Sequence, residues 1–148
     1  MKNETNITQS YKPMVYSNRR LRPSEVLCLA KYKDFIFFVL NMGTHPTAYV
    51  QIPENHPYFG KDYEGCNPPH NFLGGPFTFA DSSTVFAEKL DTPIPDGWYL
   101  GWDYAHLGDW LGYRSDEENL QQENRKYTTE EIIIDCETVI EHLIEVAK

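Results

Sequence analysis

The last twenty residues carry the clearest periodicity in the chain. Ile132, Cys136, Val139, Leu143 and Val146 recur at helical spacing, and Ile133, Ile140, Ile144 and Ala147 widen the stripe. Asp135, Glu137, Glu141 and Glu145 fall toward the other side. Thr128-Thr129-Glu130-Glu131 ahead of the stripe is a capping box, in which the Thr and Glu side chains satisfy orphan backbone N–H groups. The pattern predicts an amphipathic helix that runs to the C-terminus and lies across one face of a sheet.

The sheet is read from shorter runs. Asp34-Phe35-Ile36-Phe37-Phe38-Val39-Leu40 is apolar and rich in aromatic and β-branched residues, which at this length favours a buried strand. Residues 41–46 have turn chemistry and Thr47–Ile52 alternates, so residues 34–52 are predicted as a β-hairpin ended by Pro53. Phe77–Ala80 also alternates, Asp81-Ser82-Ser83 reads as a turn, and Thr84–Ala87 as a returning strand. In Trp98–Asp103 the alternation places Trp98, Leu100 and Trp102 on one face and Tyr99, Gly101 and Asp103 on the other. Ser24 is expected to cap a helical turn that carries Val26, Leu27, Leu29 and Ala30 into the core. Residues 112–126 read as a polar surface excursion with helical turns. Together these elements predict an α+β fold: a small antiparallel or mixed sheet, a long loop, and the C-terminal helix packed on one face. Residues 1–23 are expected to form an N-terminal arm and residues 24–148 a single domain.

Pro53–Gly75 is dense in Pro, Gly, Asn and His, and irregular segments of this length in a small domain are usually functional or disordered. Tyr58, Phe59, Tyr63 and Phe72 favour a loop that packs on itself. Gly74-Gly75 permits a close backbone approach.

Charge sharpens the picture. The first sixty residues carry a net +3 and the remainder −12, so adhesion to nucleic acid through a broad basic surface is not expected. The acidic part suits a solvated face, or a basic partner such as the groove of a nuclease. Arg19, Arg20 and Arg22 form a small basic cluster that reads either as a solubilising patch or as a phosphate or carboxylate contact. Cys28, Cys66 and Cys136 are widely spaced and in no metal-binding pattern, which argues for reduced thiols rather than disulfides or a zinc site. No run approaches the roughly 20 apolar residues of a membrane span, and the polar Met1–Asn6 start lacks the apolar segment of a secretory signal. A cytoplasmic location is therefore expected.

The chemistry concentrates in Gly97–Trp110, which holds all three tryptophans. Asp103, His106 and Asp109 stand at i, i+3 and i+6, which on a helical turn span about 120° of arc. Two carboxylates and an imidazole suit an acid–base pair, or a ligand set for a hard metal, although the spacing matches no established metal motif. They suit equally well a cap, a bonded surface histidine and a turn. Tyr99, Tyr104 and Trp110 are candidates to stack on a flat polar ligand whose edge an Asp would bind. With them, His56, Tyr58, Gly74, Gly75 and Thr78 complete a candidate pocket drawn from residues 56–78 and 98–110. No nucleophile elbow, P-loop, dinucleotide fingerprint or HExxH pattern is present, and no cofactor is indicated.

Three segments resemble a family of small, mostly uncharacterised proteins of phages and mobile elements. These are Ala48–Pro53 followed by His56-Pro57-Tyr58-Phe59-Gly60, then Gly74-Gly75-Pro76-Phe77-Thr78, and Gly101–Trp110 with its Asp-x-Ala-His-x-Gly-Asp element. The resemblance spans residues 45–147. Relatives often carry a histidine directly before the glycine pair, where this chain has Leu73. It implies an accessory, anti-defence role. The resulting expectation is a protein that binds a small nucleotide-like signal. The alternatives are an acidic inhibitor of a host nuclease or other defence protein, in the manner of some anti-CRISPR proteins, and a hydrolase using Asp103, His106 and Asp109. A homo-oligomer is conceivable, because a small domain can complete a site across an interface.

Overall fold

In a computed structural model, which describes residues 10–148, five antiparallel strands form one sheet in the order β1-β2-β3-β5-β4. The strands are β1 (Glu25–Tyr32), β2 (Phe35–Asn41), β3 (Pro46–Ile52), β4 (Phe79–Ser82) and β5 (Trp98–Asp103); α1 (Asp116–Gln121) and α2 (Thr129–Val146) follow. This is the small α+β fold expected, with the sheet antiparallel throughout.

The residues with helical periodicity form α2. Thr128 caps it by accepting from the Glu131 N–H, while Glu131 reaches back to the Thr128 N–H at 2.9 Å. Ile132, Cys136, Val139, Ile140 and Leu143 pack on Phe37, Val39, Ala48, Val50, Leu100 and Trp102, all essentially inaccessible to solvent. The predicted hairpin forms as β2 and β3. Alternation holds in β5: Trp98, Leu100 and Trp102 face α2, and Tyr99 faces the other side.

Three expectations are corrected. Residues 25–30 are strand, not a helical turn, and Ser24 makes an isolated bridge to Leu90. A register shift between Val26 and Cys28 brings the consecutive Leu27 and Cys28 into the same core cluster, and that break in alternation imitates helical periodicity. Lys33 and Asp34, both at positive φ, close the β1–β2 hairpin with the backbone that two-residue hairpin turns require. Thr84–Ala87 does not return as a strand. Ser82 instead caps a 3-10 turn over Ser83–Phe86, and β4 runs through the Asp81-Ser82 positions read as a turn. Asp135, placed by periodicity on the polar side of α2, is 3% exposed.

The second sheet face is covered without an α-helix. Phe38, Leu40, Tyr49 and Tyr99 lie beneath Met42, Phe79, Phe86, Leu90 and Ile94, joined by ring contacts such as Phe38–Tyr49 and Tyr49–Phe86. The part of the predicted arm within the described residues threads across the fold. Lys12 N–H donates to Leu27, Ser17 N–H to Gly43 and Leu21 N–H to Met42, and the Thr129 hydroxyl donates to the Lys12 carbonyl. Residues 1–9 of that arm lie outside the described residues. No described helix is long and apolar enough to cross a membrane.

Candidate functional site

The antiparallel pairing of β3 with β5 sets Thr47 opposite Asp103, so the start of one strand adjoins the end of the other. The β2–β3 turn therefore meets the loop after β5, and the Tyr104 N–H donates to the Pro46 carbonyl. That loop is not helical; its own side chains fold it. Asp103 Oδ1 accepts from the Ala105 N–H at 3.1 Å, and Asp109 Oδ2 accepts from the His106 N–H at 3.0 Å. The Asp109 N–H returns to the His106 carbonyl, and Gly108 takes φ +93°, a conformation that suits glycine. Residues 108–110 are then fastened to residue 125: Arg125 N–H donates to Gly108 and Trp110 N–H to Arg125. In the excursion beyond, the fully buried Asn119 bonds both backbone groups of Leu111.

Within this frame the three candidate residues converge. His106 Nε2 stands 3.5 Å from Asp103 Oδ1, and its Nδ1 stands 3.5 Å from Asp109 Oδ2. The ring thus lies between the carboxylates, with one at each nitrogen. A single ion could not take an imidazole nitrogen and both carboxylates in that arrangement. Among the described residues no group of three or more His, Cys, Asp or Glu is placed to hold a metal.

Thr78 donates its hydroxyl to Asp103 Oδ2 at 3.2 Å. Gly75, at φ +76°, faces the imidazole, where an added Cβ would sit 3.4 Å from His106 Cε1. Both therefore lie beside the Asp103–His106–Asp109 cluster. Gly74 serves packing instead, since its missing Cβ leaves room for the Trp102 indole. The glycine pair is held by a buried chain of hydrogen bonds. Trp102 Nε1–H donates to the Tyr104 hydroxyl at 2.9 Å, Tyr104 donates to Asp135 Oδ2 at 2.7 Å, and Asp135 Oδ1 accepts from the Leu73 N–H at 3.1 Å. Burial pushes the Asp135 carboxyl up, against the opposing hydrogen bonds from Tyr104 and the Leu73 and Gly74 backbone, and pushes the Tyr104 phenol up as well.

The other expected site residues lie elsewhere. His56 is 6% exposed and sits at the C-terminal end of α2, where Nε2–H donates to the Leu143 carbonyl and Nδ1 accepts from the Tyr58 N–H. Leu143 lies about 12 Å further along the helix axis than Asp135, at 1.5 Å of rise per residue. Tyr58 is buried beside His56, and its hydroxyl accepts from the Asn67 N–H. Tyr99 and Tyr104 are 0% and 1% exposed, too enclosed to stack on a ligand, and Trp110, 7% exposed, has the Lys126 ammonium 4.3 Å from its ring centroid. Tyr99 and Tyr104 went inward because both faces of the sheet are covered.

Three residues outside the expected pocket of residues 56–78 and 98–110 border the site. His45, half-buried in the β2–β3 turn, has its Nδ1 2.9 Å from the Thr44 hydroxyl. Burial lowers its pKa, with the Asp103 carboxylate pulling the other way. The strand pairing of β3 with β5 is the signal that would have found it. Tyr113 and Arg114 line a shallow cavity of about 240 Å³ with Ala105–Asp109 and Leu111. Tyr113 is 58% exposed, and the Arg114 guanidinium stands 6.0 Å from its ring. The arrangement offers a hydrogen-bonding edge, an open aromatic face and a cation within one small concavity.

Comparison of the chain with protein-family models, with curated proteins and with solved structures found no match.

Proposed function

We propose that this is an accessory protein of the phage or mobile-element kind that sequesters a small nucleotide-like signal at the rim formed by residues 103–114. The observation that carries the reading is the convergence of His106, Asp109, Tyr113 and Arg114 on one concavity beside Asp103. A base would stack on the exposed Tyr113 ring, as bases do on aromatic faces. The Ala105–Asp109 loop would border the polar edge of the ligand, and Arg114 would bind a phosphate. The resemblance of Gly101–Trp110 to phage proteins supports the biological setting.

Sequestration is favoured over hydrolysis by the position of the imidazole. Each ring nitrogen faces a carboxylate at 3.5 Å, which leaves neither directed at a bound substrate as a general base must be. The carboxylates are committed too, closing the loop through Ala105 and His106. Calorimetric titration with cyclic dinucleotides and ADP-ribose derivatives tests the reading, followed by chromatography of the recovered ligand. Saturable heat, lost in His106→Ala, with the ligand recovered intact is the expected result. Absence of heat with every compound would refute binding, and conversion of the ligand would replace sequestration by catalysis.

A further inference from the structure

A second cavity lies on the sheet face turned away from α2, and its residues are distinct from those of the rim. It encloses about 430 Å³, within the range of roughly 300–1,000 Å³ common for small-molecule pockets. Leu40, Tyr49, Phe79 and Phe86 form its apolar wall, and Tyr49 meets Phe79 and Phe86 edge-on at 5.1 and 5.0 Å.

Its polar groups are few, and Ser24 adjoins Lys89, the Ser24 N–H donating to the Lys89 carbonyl. Ser24 is 8% exposed, and its hydroxyl donates to the Met42 sulfur at 3.4 Å, a weak acceptor. A buried hydroxyl so poorly matched gains by turning to a better acceptor. Arg22 and Lys89 line the same cavity; both are exposed, and among the described residues neither forms an ion pair. Glu88 is the one acid there, so the lining keeps a net positive charge in a chain whose formal charge is −9.

We infer that this cavity is a second binding site, for a small ligand that joins an apolar or aromatic body to a carboxylate. The body replaces water against Leu40, Tyr49, Phe79 and Phe86, which is favourable in proportion to the apolar area covered. The carboxylate accepts from the Ser24 hydroxyl and pairs with the Arg22 guanidinium, whose fork matches its two oxygens, with Lys89 adding a point charge. Arg22, one of three arginines that read from sequence either as a solubilising patch or as a phosphate or carboxylate contact, thus acquires a partner cavity.

The probe is 4-phenylbutyrate, with 4-phenylbutanol as its neutral counterpart, titrated into the full chain and followed by methyl and amide NMR. Saturable shifts are expected at Leu40, Met42 and Val85, with the acid binding more tightly than the alcohol. Arg22→Ala, a change to an exposed side chain, should weaken the acid about tenfold and leave the alcohol unchanged. Val85→Trp, which fills the cavity from its lining, should abolish both, provided its amide spectrum remains dispersed. His106→Ala should leave both affinities unchanged, so failure of the nucleotide reading would not touch this one. Four results would overturn the inference: no saturable shift, shifts confined to other regions, acid and alcohol binding equally, or a dimer that buries the cavity and dissociates in Val85→Trp.

Discussion

Replacing Tyr104 by Phe removes one oxygen and breaks the chain that holds the candidate site to α2. The hydroxyl accepts from Trp102 Nε1 and donates to Asp135 Oδ2, and all three side chains are 3% exposed or less. Tyr104→Phe leaves an indole N–H without an acceptor and a buried carboxylate with one donor fewer. A hydrogen bond to a charged group contributes about 1.5–3 kcal/mol, and an unsatisfied buried donor costs about 1–3 kcal/mol. The ring itself stays, with its packing against Tyr127 at 4.7 Å between centroids. The sum is a loss of roughly 3–5 kcal/mol, a large part of the roughly 5–15 kcal/mol typical of a domain. Urea denaturation of wild type and variant, read by tryptophan fluorescence and far-UV circular dichroism, measures it. A loss below about 1 kcal/mol would refute the reasoning, since it would mean that water replaces the phenol at both partners. The same variant should broaden the Leu73, Gly74 and Gly75 amide resonances, because Asp135 anchors that loop through the Leu73 N–H.

Other expectations rest on the same geometry. Asp135 has its carboxyl pushed up by burial, so the folded chain binds that proton more tightly than the unfolded chain. Its contribution to stability is therefore favourable below its folded pKa and is lost as pH rises from about 4 through that pKa. Denaturation of wild type and Asp135→Asn across pH 3.5–6.5 should show this slope in the wild type alone, and parallel profiles would contradict it. Gly75→Ala should cost about 1–2 kcal/mol through its positive φ and shift the His106 imidazole resonances, which unmoved spectra would refute. Gly112→Ala would place a Cβ against the Ser17 carbonyl. It should unseat the N-terminal segment, increasing proteolysis near residues 10–20, and an unchanged digestion pattern would show that the segment accommodates the methyl group.

Elements with a simple period were legible in the sequence. The α2 stripe, its capping box and the β2–β3 hairpin each repeat over enough residues for sterics and burial to dictate one arrangement. The misreadings have local physical causes. The register shift at Val26–Cys28 hid a strand, and the Asp135 hydrogen bonds drew a carboxylate inward from a face that periodicity marks as polar. Tyr104 looked free to line a pocket although it packs toward α2 against Tyr127, and Tyr99 looked free because nothing in β5 states that its second face is covered. That cover comes from Phe86, Leu90 and Ile94, which belong to no regular strand or α-helix. The convergence of Asp103, His106 and Asp109 was legible, but not for the helical reason given by their spacing. Three hydrogen bonds within the loop achieve it. His45 was not legible, because its place depends on the pairing of strands β3 and β5, which lie some fifty residues apart.

The central claim is that the rim of residues 103–114 binds a nucleotide-like ligand. Amide and imidazole NMR of the uniformly labelled chain during titration with ADP-ribose and with a cyclic dinucleotide tests it most directly. Saturable shifts concentrated at Ala105, His106, Leu107, Gly108, Asp109 and Tyr113, and absent in His106→Ala, are predicted for at least one of the two. Unchanged spectra with both compounds, or shifts that leave these residues untouched, would contradict it.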